Sequence, residues 1–221
     1  MELSKKLNVM ADFARAFNYS TYVSTDRVFQ HDGRLYATDG RIMIVTETDS
    51  KPGLRYYERQ TLKSPFKAFT KESSQKARET IKYLESNNFM EKLIDRWNYS
   101  DLTFTLDFSD FDLPASLMKR QNTAKTRYNN KNVCLHFAEN EGVFQYGCPD
   151  DNDSVTATYS DILKNVEGKA QNIATRIWYI IAMLKLQKDK KLSFEVFTER
   201  GHCRVKTDEF TFYFTLNERT F

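Results

Sequence analysis

The sequence contains few of the residues on which common catalytic and metal-binding motifs depend. Only 7 of the 221 residues are glycine and only 3 are histidine, and no Gly-rich nucleotide motif, HExxH or GxSxG is present. The three cysteines are scattered and odd in number, which argues against a disulfide or zinc framework and predicts free thiols in a reducing cytoplasm. We therefore expect no enzyme activity, no cofactor and no bound metal.

Long apolar runs are also missing. The longest candidate, 173–186, is interrupted by Arg176 and Lys185, and the N-terminus becomes amphipathic where a secretory signal would be apolar. We expect a cytoplasmic protein with no membrane segment. The acidic run at 150–153 lacks the Gly and Glu spacing of a helix–loop–helix calcium site, so it is interpreted as a solvated loop.

The sequence does contain an alternation of helical and strand patterns that runs twice along the chain. Apolar residues at steps of three and four predict helices over 3–17, 72–97 and 172–186, and a short basic helix is expected over 115–125. Alternating segments predict strands at 26–30, 34–38, 41–45, 54–57, 102–108, 132–138, 143–146, 154–159, 192–197, 203–206 and 210–216. The pairs Asp32-Gly33 and Asp39-Gly40 favour tight hairpin turns. This order predicts an α+β fold of two related domains, 1–110 and 111–221, each with helices packed on antiparallel sheet.

Basic side chains recur on the predicted helices of both halves, although the net charge of the chain is only +3. Cations offered from several helices neutralise phosphates without reading bases, which gives a salt-dependent, sequence-independent grip on nucleic acid. For each cation alone, an ordinary solvated surface is the better explanation, so the functional interpretation rests on their recurrence on helices of both halves. The set consists of Lys5, Lys6, Arg15, Lys76, Arg78, Lys119, Arg120, Lys125, Arg176 and Lys185.

Three short stretches carry a resemblance to a known family. Residues 33–45, Gly-Arg-Leu-Tyr-Ala-Thr-Asp-Gly-Arg-Ile-Met-Ile-Val, resemble the hairpin "G-x-L-x-x-x-A-T-D-G-x-R-L-A" of the bacterial DNA polymerase sliding clamp, with one residue fewer before Ala-Thr-Asp-Gly and Arg41 directly after the glycine. Residues 112–117, Asp-Leu-Pro-Ala-Ser-Leu, are similar to the start of a later clamp domain, and 212–216 resemble the closing strand of such a domain.

The resemblance implies two clamp-like domains, the subunit size of the phage, archaeal and eukaryotic clamps. It implies a bacterial or phage processivity factor: a dimeric or trimeric ring whose helices surround duplex DNA while it tethers a DNA polymerase or other replication proteins. The ten cations above would then face the DNA. Because the first half shows two strands fewer than the second, a monomeric clamp-fold protein with an interaction or regulatory role, and no ring, stays open as the alternative.

Overall fold

The chain folds into two compact units in a computed structural model. The structure describes residues 1–16, 27–38, 42–51, 53–61, 63–87, 100–110, 132–138, 141–146, 157–159, 161–169, 172–197, 201–215 and 217–218. One unit comprises residues 1–98 with 209–214, and the other 99–208 with 215–221. The α+β class predicted from the sequence is confirmed. The predicted domain boundary at 110 adjoins a stretch, 111–131, that lies outside the described residues, so it stays a prediction.

Unit 1 is built from one described antiparallel sheet and two helices. Its elements are α1 (Leu3–Ala16), β1 (Arg27–His31), β2 (Arg34–Thr38), β3 (Ile42–Glu47), β4 (Arg55–Glu58), β5 (Lys67–Phe69), α2 (Gln75–Asn87) and β14 (Thr211–Thr215). The strands lie in the order β14-β3-β2-β1-β4-β5, and each pairs antiparallel with its neighbour. The strand from near the C-terminus therefore completes the sheet of the first unit.

The β1–β2 hairpin has the turn that its sequence predicts. Asp32 has a φ of 45° and Gly33 a φ of 71°, and His31 pairs with Arg34 across the turn. Positive φ at both central residues defines the turn geometry that matches strand twist, and Asp-Gly adopts it at low cost. The second predicted turn, at 39–40, lies outside the described residues, although the flanking strands do pair, with Thr38 opposite Met43.

The core of unit 1 lies between helix α1 and one face of the sheet. Leu7, Met10 and Phe13 recur at helical spacing and are buried. The Phe13 ring lies 5.0 Å from the ring of Phe212 on β14. Full burial of such side chains contributes about 1.5–3 kcal/mol each. The helix thus packs on the sheet along one stripe, and its other sides take no part in this contact.

A buried glutamine ties β1 to the chain around it. Gln30 has no exposed surface, and its Oε1 accepts hydrogen bonds from the hydroxyls of Ser50 at 2.7 Å and Tyr57 at 2.6 Å. Its Nε2 donates to the Lys51 carbonyl at 2.6 Å. Burial of an amide costs free energy when its hydrogen-bond partners are missing. Because both polar atoms of the Gln30 side chain have partners, these contacts offset the cost of burial and connect β1 to the segments around it.

Unit 2 contains two described antiparallel sheets. Its elements are β6 (Leu102–Asp107), β7 (Asn132–Ala138), β8 (Glu141–Tyr146), β9 (Ala157–Tyr159), β10 (Leu163–Gly168), β11 (Asn172–Arg176), α3 (Ile177–Leu184), β12 (Lys191–Phe197), β13 (His202–Lys206) and β15 (Asn217–Glu218). One sheet has the order β10-β6-β12-β13 and the other β15-β11-β7-β8-β9. Alternate residues of β6 and β12 are buried, and the rings of Phe104 and Phe194 stack at 4.7 Å.

One prediction of secondary structure in unit 2 is wrong, and one strand of this unit was not predicted. Residues 172–176 form strand β11, paired with β7, and the helix predicted from residue 172 begins only at Ile177. Ile173 and Thr175 are both buried, a two-residue period that the apolar run after them obscures. Strand β10 was not predicted, because its register shift and the positive φ of Asn165 interrupt the alternation of buried residues.

Candidate nucleic-acid interface

Helix α1 carries Lys5 and Lys6 in its first two turns. Lys5 is exposed, whereas Lys6 is half-buried and its Nζ donates to the Glu47 carbonyl of β3 at 2.8 Å. The first turn of the helix contains no acidic residue. Because the N-terminal end of a helix is the positive end of its dipole, the two lysines add to a positive potential that suits an anionic partner. Lys5 is the more accessible of the two cations.

The exposed side of α1 also carries an acid, and an arginine from another segment pairs with it. Asp12 is 62% exposed, and its Oδ1 is bonded to Nη2 of Arg59, whose side chain is only 3% exposed. Nη1 of Arg59 donates to Oδ1 of Asn8, one turn earlier on the helix, at 2.9 Å. The guanidinium carbon lies 5.1 Å from the centre of the Phe66 ring. Arg59 therefore contacts α1 at two residues that are one helical turn apart.

Helix α2 carries three exposed cations. Ala77 and Ile81 are buried, while Lys76, Arg78 and Lys82 are exposed. Lys82 is not among the ten cations that the sequence analysis expects to face DNA. The helix starts after Ser74, whose Oγ accepts a hydrogen bond from the Ala77 amide at 3.0 Å, which is an N-terminal cap. The amphipathic spacing thus places the three cations on the sides of α2 that do not pack on the core.

The acid next to the start of α2 stays ionised. A hydrogen bond from the Thr70 side chain and one from its own backbone amide lower the pKa of Glu72, and the charges of Lys71 and Arg78 lower it further. Glu72 and the half-buried Lys71 both precede the helix. A second exposed acid, Glu79, lies on the helix itself, where its Oε1 accepts a hydrogen bond from Gln75 at 3.1 Å, so acids offset part of the positive potential of α2.

Some of the described cations are paired with acids and others are not. On the sheet of unit 2, Glu195 pairs with Arg204 of β13 and with Nζ of Lys206 at 3.6 Å, and Asp107 pairs with Nζ of Lys191 at 2.9 Å. In unit 1, Arg27 pairs with Glu58 and Arg59 pairs with Asp12. Lys5, Arg78 and Lys82 form no ion pair with any side chain in the described part of the chain, so these three exposed helix cations keep their charge beside acids such as Glu79.

The structure places only part of the predicted set of cations. Lys5, Lys6, Lys76 and Arg78 lie on helices as predicted. The side chain of Arg15 and all of Lys119, Arg120 and Lys125 lie outside the described residues.

The helical placement of Arg176 and Lys185 is wrong. Arg176 ends strand β11 and Lys185 follows helix α3, so neither belongs to the helix between them, which contains no charged residue. The apolar run is long enough to predict a helix through both positions. The first five residues of this run instead form a strand, because they pair with β7. Lys185 is exposed beyond the helix end.

Arg59 is the residue near this surface that the sequence did not predict. It lies in an irregular segment with no periodic pattern, and its contacts with α1 join residues 47 and 51 positions apart.

The described residues contain no group of three or more His, Cys, Asp or Glu side chains arranged to hold a metal ion. None of the described helices is long and apolar enough to cross a membrane.

Comparison with known proteins gives a structural likeness without a sequence match. No protein-family model matches the sequence, and no curated protein matches it. The DNA polymerase III beta subunit of Pseudomonas aeruginosa aligns with a TM-score of 0.60 at 12% identity, over 99% of this chain and 65% of that one. The beta subunit of Borrelia burgdorferi aligns with a TM-score of 0.59 at 12% identity, over 98% and 61%. A Caulobacter crescentus beta sliding clamp gives 0.57 at 13% identity, over 98% and 64%.

These alignments cover nearly all of this chain, but the chain spans less than two thirds of the length of the proteins that it matches. At such low identity a likeness of this extent shows the fold. The resemblance seen in residues 33–45 is therefore confirmed at the level of architecture: the chain has the fold of the DNA polymerase sliding clamps.

Proposed function

We propose that the chain is a subunit of a clamp that encircles duplex DNA and tethers a DNA polymerase or other replication proteins, without catalysing a reaction. The observation that carries the proposal is the sliding-clamp fold over 98–99% of the chain, shared with proteins described as DNA polymerase III beta subunits. A topological tether of this kind needs no catalytic group. It acts in the cytoplasm of a bacterium or in a phage-infected cell.

The exposed helix cations of unit 1 support a DNA-facing role. Lys5, Lys76, Arg78 and Lys82 are solvent-accessible and come from two helices, so their charges bind phosphates without reading bases. Each neutralised phosphate contributes about −0.9 to the slope of log K against log salt. A few such contacts give a weak and salt-sensitive hold, which suits a protein that slides. Lys119, Arg120 and Lys125 extend this set as a further part of the proposal.

Strand edges in both units support ring assembly. In the described part of the chain, β5 pairs only with β4, and β9 pairs only with β8. Each strand therefore keeps one edge whose backbone groups can pair with a strand of another subunit. We infer a dimeric or trimeric ring of identical subunits.

Native mass is the first test of the ring. Light scattering over a wide concentration range is expected to give about two or three times the subunit mass of 26.0 kDa. A strict monomer at high concentration would contradict the autonomous ring.

Retention on DNA tests encirclement and the role of α2. The protein is expected to remain on closed circular DNA and to be lost when the circle is linearised. The triple variant Lys76→Gln, Arg78→Gln, Lys82→Gln is expected to lower the salt slope of duplex binding by up to about 3. A matched triple variant, Lys51→Gln, Lys63→Gln and Lys188→Gln, alters exposed lysines of connecting segments and is expected to leave the slope unchanged.

Equal effects of the two variants on the salt slope would contradict a role of α2 in the interface. Unchanged retention after linearisation would contradict encirclement.

A second candidate function is an interaction or regulatory role for a monomeric clamp-fold protein. The observation that favours it is helix α3, which is apolar throughout and offers no cation to DNA. A monomeric mass together with no detectable duplex binding at low salt would select this alternative.

A further inference from the structure

We propose that Arg59 is a positioning residue that sets the charge of the exposed side of α1 by neutralising Asp12. This inference rests on the proposed binding of DNA by α1. Arg59 would contact no phosphate itself, because its side chain is 3% exposed. Its effect would pass through Asp12, which is 62% exposed and lies on the same helix as Lys5.

The geometry gives Arg59 two separable effects. It bonds to Asn8 and Asp12, one turn apart, so its planar fork holds the helix in a fixed orientation. It also places a positive charge beside the carboxylate at hydrogen-bond range. The first effect needs the shape of the guanidinium, whereas the second needs only its charge.

The neutralising effect matters because Asp12 lies among the cations of α1. Lys5 and Asp12 are seven residues apart, which is two helical turns, so they project from the same side of the helix. A lone carboxylate at that position would repel the phosphates that Lys5 attracts. With Arg59 beneath it, the pair carries no net charge, and the exposed side of α1 keeps the charge of its lysine.

Four variants separate charge from structure. Arg59→Gln leaves the pair at −1, Asp12→Asn leaves it at +1, and the double variant and Arg59→Lys both restore zero. Binding of a labelled duplex is measured by fluorescence anisotropy at several salt concentrations, and Tm is measured for each variant. The expected order of affinity is Asp12→Asn above wild type, Arg59→Lys and the double variant near wild type, and Arg59→Gln lowest.

The expected loss for Arg59→Gln is about three- to tenfold at low salt, and it shrinks as salt rises. Every variant is expected to lower Tm, because each one disturbs the contacts with α1. The proposal is overturned if affinity follows Tm instead of the charge of the pair. Arg59→Lys keeps the proposal testable if Arg59→Gln does not fold, since its affinity should then stay near wild type despite a lower Tm.

A cluster of charges in unit 2 supplies the control for net charge. Arg204→Gln removes one positive charge from the cluster of Glu195, Arg204 and Lys206 on the sheet, where no DNA contact is proposed. Its affinity is expected to lie within about twofold of wild type, and a loss equal to that of Arg59→Gln would show that net charge alone is responsible. If the wild-type protein binds no duplex even at low salt, the proposed function fails first, which is distinguishable from binding that ignores the state of the pair.

Discussion

A single methyl group added at Gly168 is expected to damage the fold. This glycine ends β10 with a φ of +123° and pairs with Leu102 of β6. A Cβ at this position would overlap the Asp101 carbonyl oxygen and lie 2.8 Å from the Leu102 Cα. These atoms belong to backbone that is held from its other side, since the Asp101 amide donates to the Val196 carbonyl of β12 at 2.9 Å.

The cost of Gly168→Ala has two parts. A non-glycine residue at such a φ costs of order 1–3 kcal/mol. Forcing extra volume into packed backbone costs typically 1–3 kcal/mol more, because neither strand can shift without losing pairing. We expect a total of about 2–6 kcal/mol, which is a large part of the roughly 5–15 kcal/mol that stabilises an ordinary domain.

Two other glycines measure the strain contribution without the overlap. Gly53 has a φ of +115°, but the nearest atom to its added Cβ is Nη2 of Arg55 at 3.9 Å, so Gly53→Ala measures strain without overlap. Gly33 has a φ of +71°, and the nearest atom to its added Cβ is the Thr48 carbonyl oxygen at 4.0 Å, so Gly33→Ala is expected to cost about 1–2 kcal/mol. Urea unfolding followed by circular dichroism gives the three values. A cost for Gly168→Ala within about 1 kcal/mol of that for Gly53→Ala would refute the reasoning from close approach.

Two further predictions concern ionisable groups of unit 2. The Ser109 hydroxyl and the ammonium of Lys191 lower the pKa of Asp107 to about 2, so its contribution is present above about pH 4 and is lost as the pH falls from 4 to 2. Asp107→Asn is expected to remove about 1 kcal/mol of stability at neutral pH and to flatten the urea midpoint against pH below 5, and an unchanged slope would contradict this. Burial raises the pKa of the Cys203 thiol well above its ordinary value. In a variant whose other two cysteines are serine, a thiol reagent is expected to react with Cys203 only after unfolding, and rapid reaction of the native protein would show that the site is open.

The parts of the fold that are set by residues adjacent in the sequence could be predicted. The β1–β2 hairpin follows from Asp32-Gly33, because a pair of residues that accepts positive φ specifies its own turn. Strand β11 was not predictable, because Asn172–Arg176 joins directly to the apolar helix α3 and takes its strand geometry from pairing with β7. The place of β14 was equally hidden, since its pairing partner β3 lies more than 160 residues earlier in the chain.

The candidate site also has a part that could be predicted from the sequence and a part that could not. Helical spacing was enough to place Lys5, Lys76 and Arg78 on α1 and α2, away from the buried stripe. Arg59 was out of reach, because nothing in an irregular segment indicates that its side chain reaches Asp12. A contact of this kind is set by tertiary packing, whereas the exposure of a helix face is set by local periodicity.

The electrostatics of the chain depend on pairing more than on the number of charges. A net charge of +3 counts every residue equally, and by that measure the protein has little attraction for DNA. The ion pairs of the unit 2 sheet cancel cations such as Lys191 and Arg204, and Arg59 cancels an acid on α1 while remaining buried. Lys5, Arg78 and Lys82 stay exposed on helices α1 and α2, which also carry exposed acids such as Glu79. Under the proposed function, a phosphate would respond to the charges within about 10 Å of it at ordinary salt and not to the net charge of the chain.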